Sequence, residues 1–236
     1  MAMGLALLPF FQFFRGTPHQ LAAIKQLEES VPKGLLEEDT DWFQAWKESG
    51  YDQQIYMPYF KQLDNESGTG YRECFSSAAA MVAAYYKKVE TDDEYNKIRA
   101  KYGDTTSVDA QLAALRSLGL HAEFREDGDA ALVEHELEHS RPVIVGWLHA
   151  GNMLLGEPPM CNGLGCGHYS VISGYAGKNS NDPEWIMQDP RGYPEMEKGG
   201  HSNPHLGRNV RVRQAAFHQR WQANGPKSGW VILVRE

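Results

Sequence analysis

Four side chains have the types and settings for nucleophilic acyl transfer: Cys74, His168, Asp189 and Gln62. Cys74 stands where a loop rich in Gly and polar residues, Asp64 to Gly70, gives way to the Ala-rich run Phe75 to Ala84. Ala is the best helix former and Gly among the worst, so the switch predicts a helix start within a residue or two of Cys74. A thiol there faces unpaired backbone N–H groups and the positive end of the helix dipole, which favours thiolate over thiol. Such a nucleophile needs a base to hold its proton and return it to the leaving group, and a third group to orient that base. His168 opens a strand-like run directly after a Gly-rich loop. Asp189 closes the next such run, just before Pro190, which cannot donate to a ladder. If the two runs pair as a hairpin, His168 and Asp189 lie side by side. Gln62, ahead of the Cys74 loop, could donate to an oxyanion together with the Cys74 N–H.

Competing patterns exist. His135-Glu136-Leu137-Glu138-His139 matches HExxH, which in zinc peptidases puts two His one helical turn apart with a Glu as general base. Pro142 ends that helix at once, and no further His follows at the longer spacing. The segment reads more simply as the wet face of a surface helix, with Leu132, Val133 and Leu137 turned inward. Cys161, Cys166 and His168 lack the usual Cys-x2-Cys spacing and a fourth ligand. His201 and His205 sit in a Gly/Asn/Pro loop and form a weaker pair still. The expectation is therefore neither a metal nor a cofactor.

The elements that must position these residues follow from periodicity. Thr17-Pro18 starts a helix through Val31, and Thr40 starts another that ends at Gly50. Residues 1–54 then form a helical appendage, too short for a core of its own, with a face for docking a partner. Residues 55–236 form the main domain. Tyr56 to Gln62 is an extended lead-in, the Cys74 helix runs to about Lys88, and helices follow near residues 91–103, 106–118 and 129–139. The period then becomes strand-like in Pro142–Trp147, Tyr169–Tyr175, Trp185–Gln188 and Trp230–Val234. Helices first and strands afterwards predict an α+β fold with a mainly antiparallel sheet.

Composition bounds the rest. Of 236 residues, 42% are hydrophobic and 11% aromatic, enough for a packed core, and the formal charge of −8 argues against general nucleic-acid binding. The charge is uneven: residues 191–236 hold eight Lys/Arg against three Asp/Glu. Three cysteines make no disulfide scaffold and leave at least one free thiol, consistent with the cytoplasm; Cys161 and Cys166 could pair. No stretch reaches the roughly 20 apolar residues of a membrane span. The apolar opening from Met3 to Phe14 lacks the basic flank of a secretory signal.

Taken in order, Pro58-Tyr59-Phe60-Lys61-Gln62, Cys74 to Met81, Arg141 to Trp147, Gly167 to Tyr175 and Gln188-Asp189-Pro190-Arg191-Gly192 resemble the papain-like cysteine peptidases of the bacteriocin-leader-processing type. The likeness is greater to their stand-alone bacterial and phage relatives, and it covers roughly Ile55 to Val234. It implies a central helix packed on the sheet, with Cys74 as nucleophile, His168 as base, Asp189 as orienting acid and Gln62 at the oxyanion. The implied substrate is a peptide or isopeptide bond, with a peptidoglycan-cleaving lysin as one member type. The alternatives from other classes are a papain-like module used only for binding, and the zinc peptidase. Cys74-Phe75-Ser76 departs from the Cys-Gly that often marks this family.

Overall fold

The computed structural model describes residues 51–161 and 167–236. The two N-terminal helices expected before Tyr51, and Cys166, lie outside the described residues. Seven strands form one antiparallel sheet: β1 (Tyr51–Gln54), β2 (His121–Gly128), β3 (Val143–Trp147), β4 (His168–Ala176), β5 (Glu184–Gln188), β6 (Val210–Arg213) and β7 (Gly229–Arg235). The order across the sheet is β2-β7-β3-β4-β5-β6, with β1 also paired to β4. Five α-helices accompany it: α1 (Cys74–Tyr85), α2 (Asp92–Arg99), α3 (Val108–Ser117), α4 (Ala130–Glu138) and α5 (Gln214–Trp221). The α+β class and antiparallel sheet are as expected.

Three strands and one helix were not expected. β1 lies within the stretch assigned to the helical appendage, yet it is extended and pairs with β4 from Tyr51↔Ala176 to Gln54↔Gly174. β2 and β6 form the two edges of the ordered sheet, and α5 follows β6. The Cys74 helix ends at Tyr85, three residues short of the expected Lys88.

The centre of the molecule is apolar on all sides. Every residue of β3 is buried, and so is every residue of α1 from Phe75 to Ala83. A helix that is hydrophobic all round must be enclosed, and its Ala-rich surface lets it lie close against β3 and β4. Phe75, in the first turn, stacks on Tyr169 of β4 with ring centres 3.7 Å apart. The residue opposite Tyr169 is Gly146. A Cβ there would stand 2.8 Å from the Tyr169 ring, so glycine is what lets that ring lie flat beneath Phe75. The stack ties the start of α1 to the start of β4. Among the described residues no helix is long and apolar enough to cross a membrane.

Candidate active site

Cys74 is the first residue of α1, as the Gly-to-Ala switch requires, and it is a free thiol. The preceding residue, Glu73, is buried and collects the loop. Its carboxylate accepts from Asn65 Nδ2 at 2.7 Å, Ser67 Oγ at 2.8 Å and Thr69 Oγ1 at 2.9 Å. Asn65, Ser67 and Thr69 thus converge on one buried carboxylate, which fixes where the helix begins. The Cys74 sulfur sits at the backbone N–H groups of Tyr169 and Phe75. Burial nevertheless pushes its thiol up to about 11, with the Asp189 charge adding to the rise and the two N–H groups only partly offsetting it. Desolvation therefore opposes the thiolate that the helix terminus favours, at a residue whose accessible surface is only partly covered.

β4 and β5 pair antiparallel in the register Val171↔Gln188 and Ile172↔Met187, closed by the turn after Ala176. That register brings Asp189 beside the start of β4. His168 Nε2 donates to the Asp189 carboxylate, 3.0 Å from each oxygen. His168 is 3% exposed and Asp189 0%, so the pair is shut off from solvent. Burial lowers His168 to about 4, with the Asp189 carboxylate opposing that shift and His201 and His149 reinforcing it. Burial alone would raise Asp189; the charges and hydrogen bonds of His168 and His201 instead hold it well below the usual carboxylate range. At neutral pH the site holds a neutral imidazole on an ionised carboxylate.

Asp189 is held by more than His168. Ser170 Oγ donates to it at 2.9 Å while accepting from Trp147 Nε1 at 3.0 Å, and the Arg191 N–H donates at 2.9 Å. His201 Nε2 adds a bond at 3.3 Å. The Asp189 carbonyl accepts from Tyr59 Oη at 3.0 Å. A Cβ on Gly207 would come within 2.0 Å of that carbonyl and 2.2 Å of the Tyr59 hydroxyl, so only glycine fits there.

Gln62 is completely buried at the start of a 3-10 turn, Gln62–Asp64, where its N–H donates to the Pro190 carbonyl at 2.9 Å. Its Nε2 donates to Gly70 O at 2.7 Å. Gln62 therefore joins the Asp189-Pro190 corner to the loop that precedes Cys74. One of its two amide hydrogens is used in that bond.

His149 and Arg220 were not foreseen at the site, and His201 was weighed only beside His205. His149, His168 and His201 cluster with Trp147: the His168 and His201 ring centres are 4.4 Å apart, and His149 is 6.1 Å from the first and 6.3 Å from the second. Arg220 of α5 arranges this cluster. Fully buried, it donates to the carbonyls of Met196 at 2.5 Å, Leu148 at 3.1 Å, Ala150 at 2.9 Å and Gly151 at 2.8 Å. The Gly200 N–H then donates to the His149 carbonyl at 2.6 Å, which sets His201 beside it. Ser170 went unnoticed too, although the alternation of β4 puts it two residues from His168 on the same face. No sequence signal pointed to Arg220.

The HExxH segment has another role. It forms most of α4, with the His135 and His139 rings 4.4 Å apart. Glu136, expected on a wet face, is 1% exposed and is bound by Arg141 at 2.6 Å and Arg235 at 3.0 Å. A carboxylate held by two guanidiniums is in no position to act as a base. Cys161 is disulfide-bonded, which removes it from any thiolate metal site.

A family model described as papain-like cysteine protease AvrRpt2 matches residues 52–202. No curated protein matches the chain. Among solved structures, a double-glycine motif protease from an AMS/PCAT transporter, in complex with the leader peptide, is 19% identical with a TM-score of 0.46, covering 78% of this chain and 94% of that one. A C39-like peptidase from Bacillus anthracis is 14% identical with a TM-score of 0.47, covering 76% and 94%. The peptidase domain of Streptococcus ComA, a bi-functional ABC transporter involved in quorum sensing, is 19% identical with a TM-score of 0.44, covering 70% and 91%.

Proposed function

The chain belongs to the papain-like cysteine protease AvrRpt2 family, and on that premise we propose that it cleaves peptide bonds with Cys74 as nucleophile, His168 as base, Asp189 as the acid that orients the base, and Gln62 at the oxyanion. The observation that carries this reading is the hold of Asp189 on His168 Nε2, 3.0 Å from both oxygens. With Nε2 engaged, Nδ1 is the nitrogen left to take a proton from the thiol. Cys74 sits at the backbone N–H of Tyr169, the residue that follows His168 in the chain.

The resting pair is thiol and neutral imidazole, so proton transfer accompanies attack. As the sulfur bonds to the scissile carbonyl carbon, the thiol proton passes to His168 Nδ1 and the carbonyl oxygen becomes an oxyanion. The free N–H of the Gln62 amide and the Cys74 backbone N–H, one of the first-turn donors a helix leaves open, receive that charge. The imidazolium, steadied by Asp189, gives its proton to the leaving amine as the C–N bond breaks. Water then attacks the thioester with His168 as base, releasing the acid and the thiol.

The substrate class is a peptide. Peptide-bearing cell wall is the polymer to test first, because residues 191–236 hold eight Lys/Arg against three Asp/Glu, an excess that remains positive with Arg220 buried and Arg235 bound to Glu136. Purified protein is assayed on a peptide library and in a wall-clearing gel overlay, with Cys74→Ser as control. Cleavage lost in the serine variant supports the peptidase reading, and cleavage kept by it overturns that reading. Clearing of wall material decides the substrate separately.

A further inference from the structure

We infer that His168, Asp189 and His201 form a binding site for a divalent transition metal, zinc by its donor set, and that occupancy of this site switches the peptidase off. The three donor atoms already lie within 4.8 Å of one another. Two separations, 3.0 Å from His168 Nε2 and 3.3 Å from His201 Nε2 to the carboxylate, approach the spacing of neighbouring ligands around a tetrahedral zinc with bonds of about 2.0–2.2 Å. Two imidazoles and one carboxylate are a borderline set that suits zinc better than calcium or magnesium.

The surroundings are those of a supported metal site. The side chains of His168, His201 and Asp189 are 3%, 4% and 0% exposed. Ser170 and the Arg191 N–H hold the carboxylate from outside, as partners of ligating carboxylates do. A third imidazole stands beside them. His149 has a buried Nδ1 with no hydrogen-bond partner among the described residues, and its ring is 6.1 Å and 6.3 Å from the other two. It is the group available to complete four-coordination.

Inhibition follows from one proton. Zinc on His168 Nε2 moves the ring proton to Nδ1, so the nitrogen needed to accept the thiol proton is already protonated. The metal also takes the Asp189 oxygens that orient the ring. No bond to Cys74 is required, which separates this site from metal capture by the thiol. The inhibition rests on the reading of His168 as base; the binding does not.

The test is a titration of the full chain with zinc chloride and with cobalt chloride near neutral pH, followed by calorimetry and visible absorption. We expect one buried site, with the intense bands of tetrahedral cobalt and without a sulfur-to-cobalt charge-transfer band. Affinity should be unchanged in Cys74→Ala and in His135→Asn, which removes half of the exposed pair on α4. It should fall by more than about tenfold in His201→Asn and, as a second variant, His168→Asn, each checked for folding by circular dichroism. Zinc should inhibit wild-type turnover and EDTA should restore it. Absence of binding, binding unmoved by both ring substitutions, or binding lost in Cys74→Ala each overturns the proposal. Activity persisting in Cys74→Ser would instead overturn the peptidase reading while leaving the binding result standing.

Discussion

Of the buried carboxylates among the described residues, two are held by different kinds of basic side chain. Glu136, 1% exposed, lies between Arg141 and Arg235. Asp189, 0% exposed, lies between His168 and His201. Burial pushes both acids up, and in both the partners reverse it, so each is ionised at neutral pH. Arginine stays charged at any pH a protein survives, so the Glu136 cluster can only bind. Imidazole gains and loses a proton near neutrality, so the Asp189 cluster can also move one. The motif with the look of catalysis, HExxH, fell on the fixed cluster. Chemistry is possible on the one whose cations can be neutral.

Substitutions sharpen that contrast. The largest effect is expected from Cys74→Ser, which should remove turnover by roughly 10⁶-fold while circular dichroism stays native, since loss of one member disables the unit. Iodoacetamide should label Cys74 and leave the disulfide-bonded Cys161 alone.

Next comes Asp189→Asn. The amide can hold the ring but favours the other tautomer, which costs a serine enzyme about 10⁴-fold; here about 10²–10³-fold is expected, because a thiol gives up its proton more readily than a hydroxyl. The carboxylate raises His168, so its loss should move the acid limb of the pH–rate profile to lower pH. A wild-type rate and profile would take Asp189 out of the site.

Glu136→Gln should do the reverse, lowering stability by about 1–3 kcal/mol in urea while kcat/KM below the unfolding range stays within about twofold. A large loss of kcat without loss of stability would reopen the zinc-peptidase reading.

Acid titration should separate the clusters again. His168 is at about 4 folded against 6.5 unfolded, so between those values the unfolded chain binds more protons and stability falls as pH falls. Asp189, depressed when folded, adds its own loss once pH drops below its unfolded value of 3.8. Thermal melting of wild type from pH 7 to about 4 should show this slope, and His168→Gln should flatten it. The smallest change is expected for Lys178→Met. Lys178 pairs with Glu134 at 2.8 Å and Glu138 at 3.2 Å but is 39% exposed, so stability should shift by no more than about 0.5 kcal/mol.

The sequence was legible where one element hands over to another. Cys74, His168 and Asp189 each sit at a helix or strand end, and the residues that end an element leave a local trace. The four expected strands correspond to β3, β4, β5 and β7, which stand together in the sheet and carry continuous apolar runs. β2, His-Ala-Glu-Phe-Arg-Glu-Asp-Gly, and β6, Val-Arg-Val-Arg, lie at the edges, where one side chain in two meets water and the apolar signal is diluted. β1, Tyr-Asp-Gln-Gln, carries three polar residues and is recognisable only by its pairing with β4. The placing of His149 and His201 near Asp189 was illegible for another reason. They arrive on loops fixed by Arg220, about 70 residues from the carbonyls it binds in one of them.

One consequence lies in the place of β7. The last strand in chain order, Gly229–Arg235, does not finish the sheet at an edge; it is inserted between β2 and β3. During synthesis from the N-terminus, Cys74, His168 and Asp189 therefore leave the ribosome before the strand that braces β3 from the other side. A nascent chain would carry every reactive side chain with a cleft through the middle of its sheet. Non-local pairing of this kind closes late. The side chains of the site are thus made well before the strand that completes the sheet beneath them.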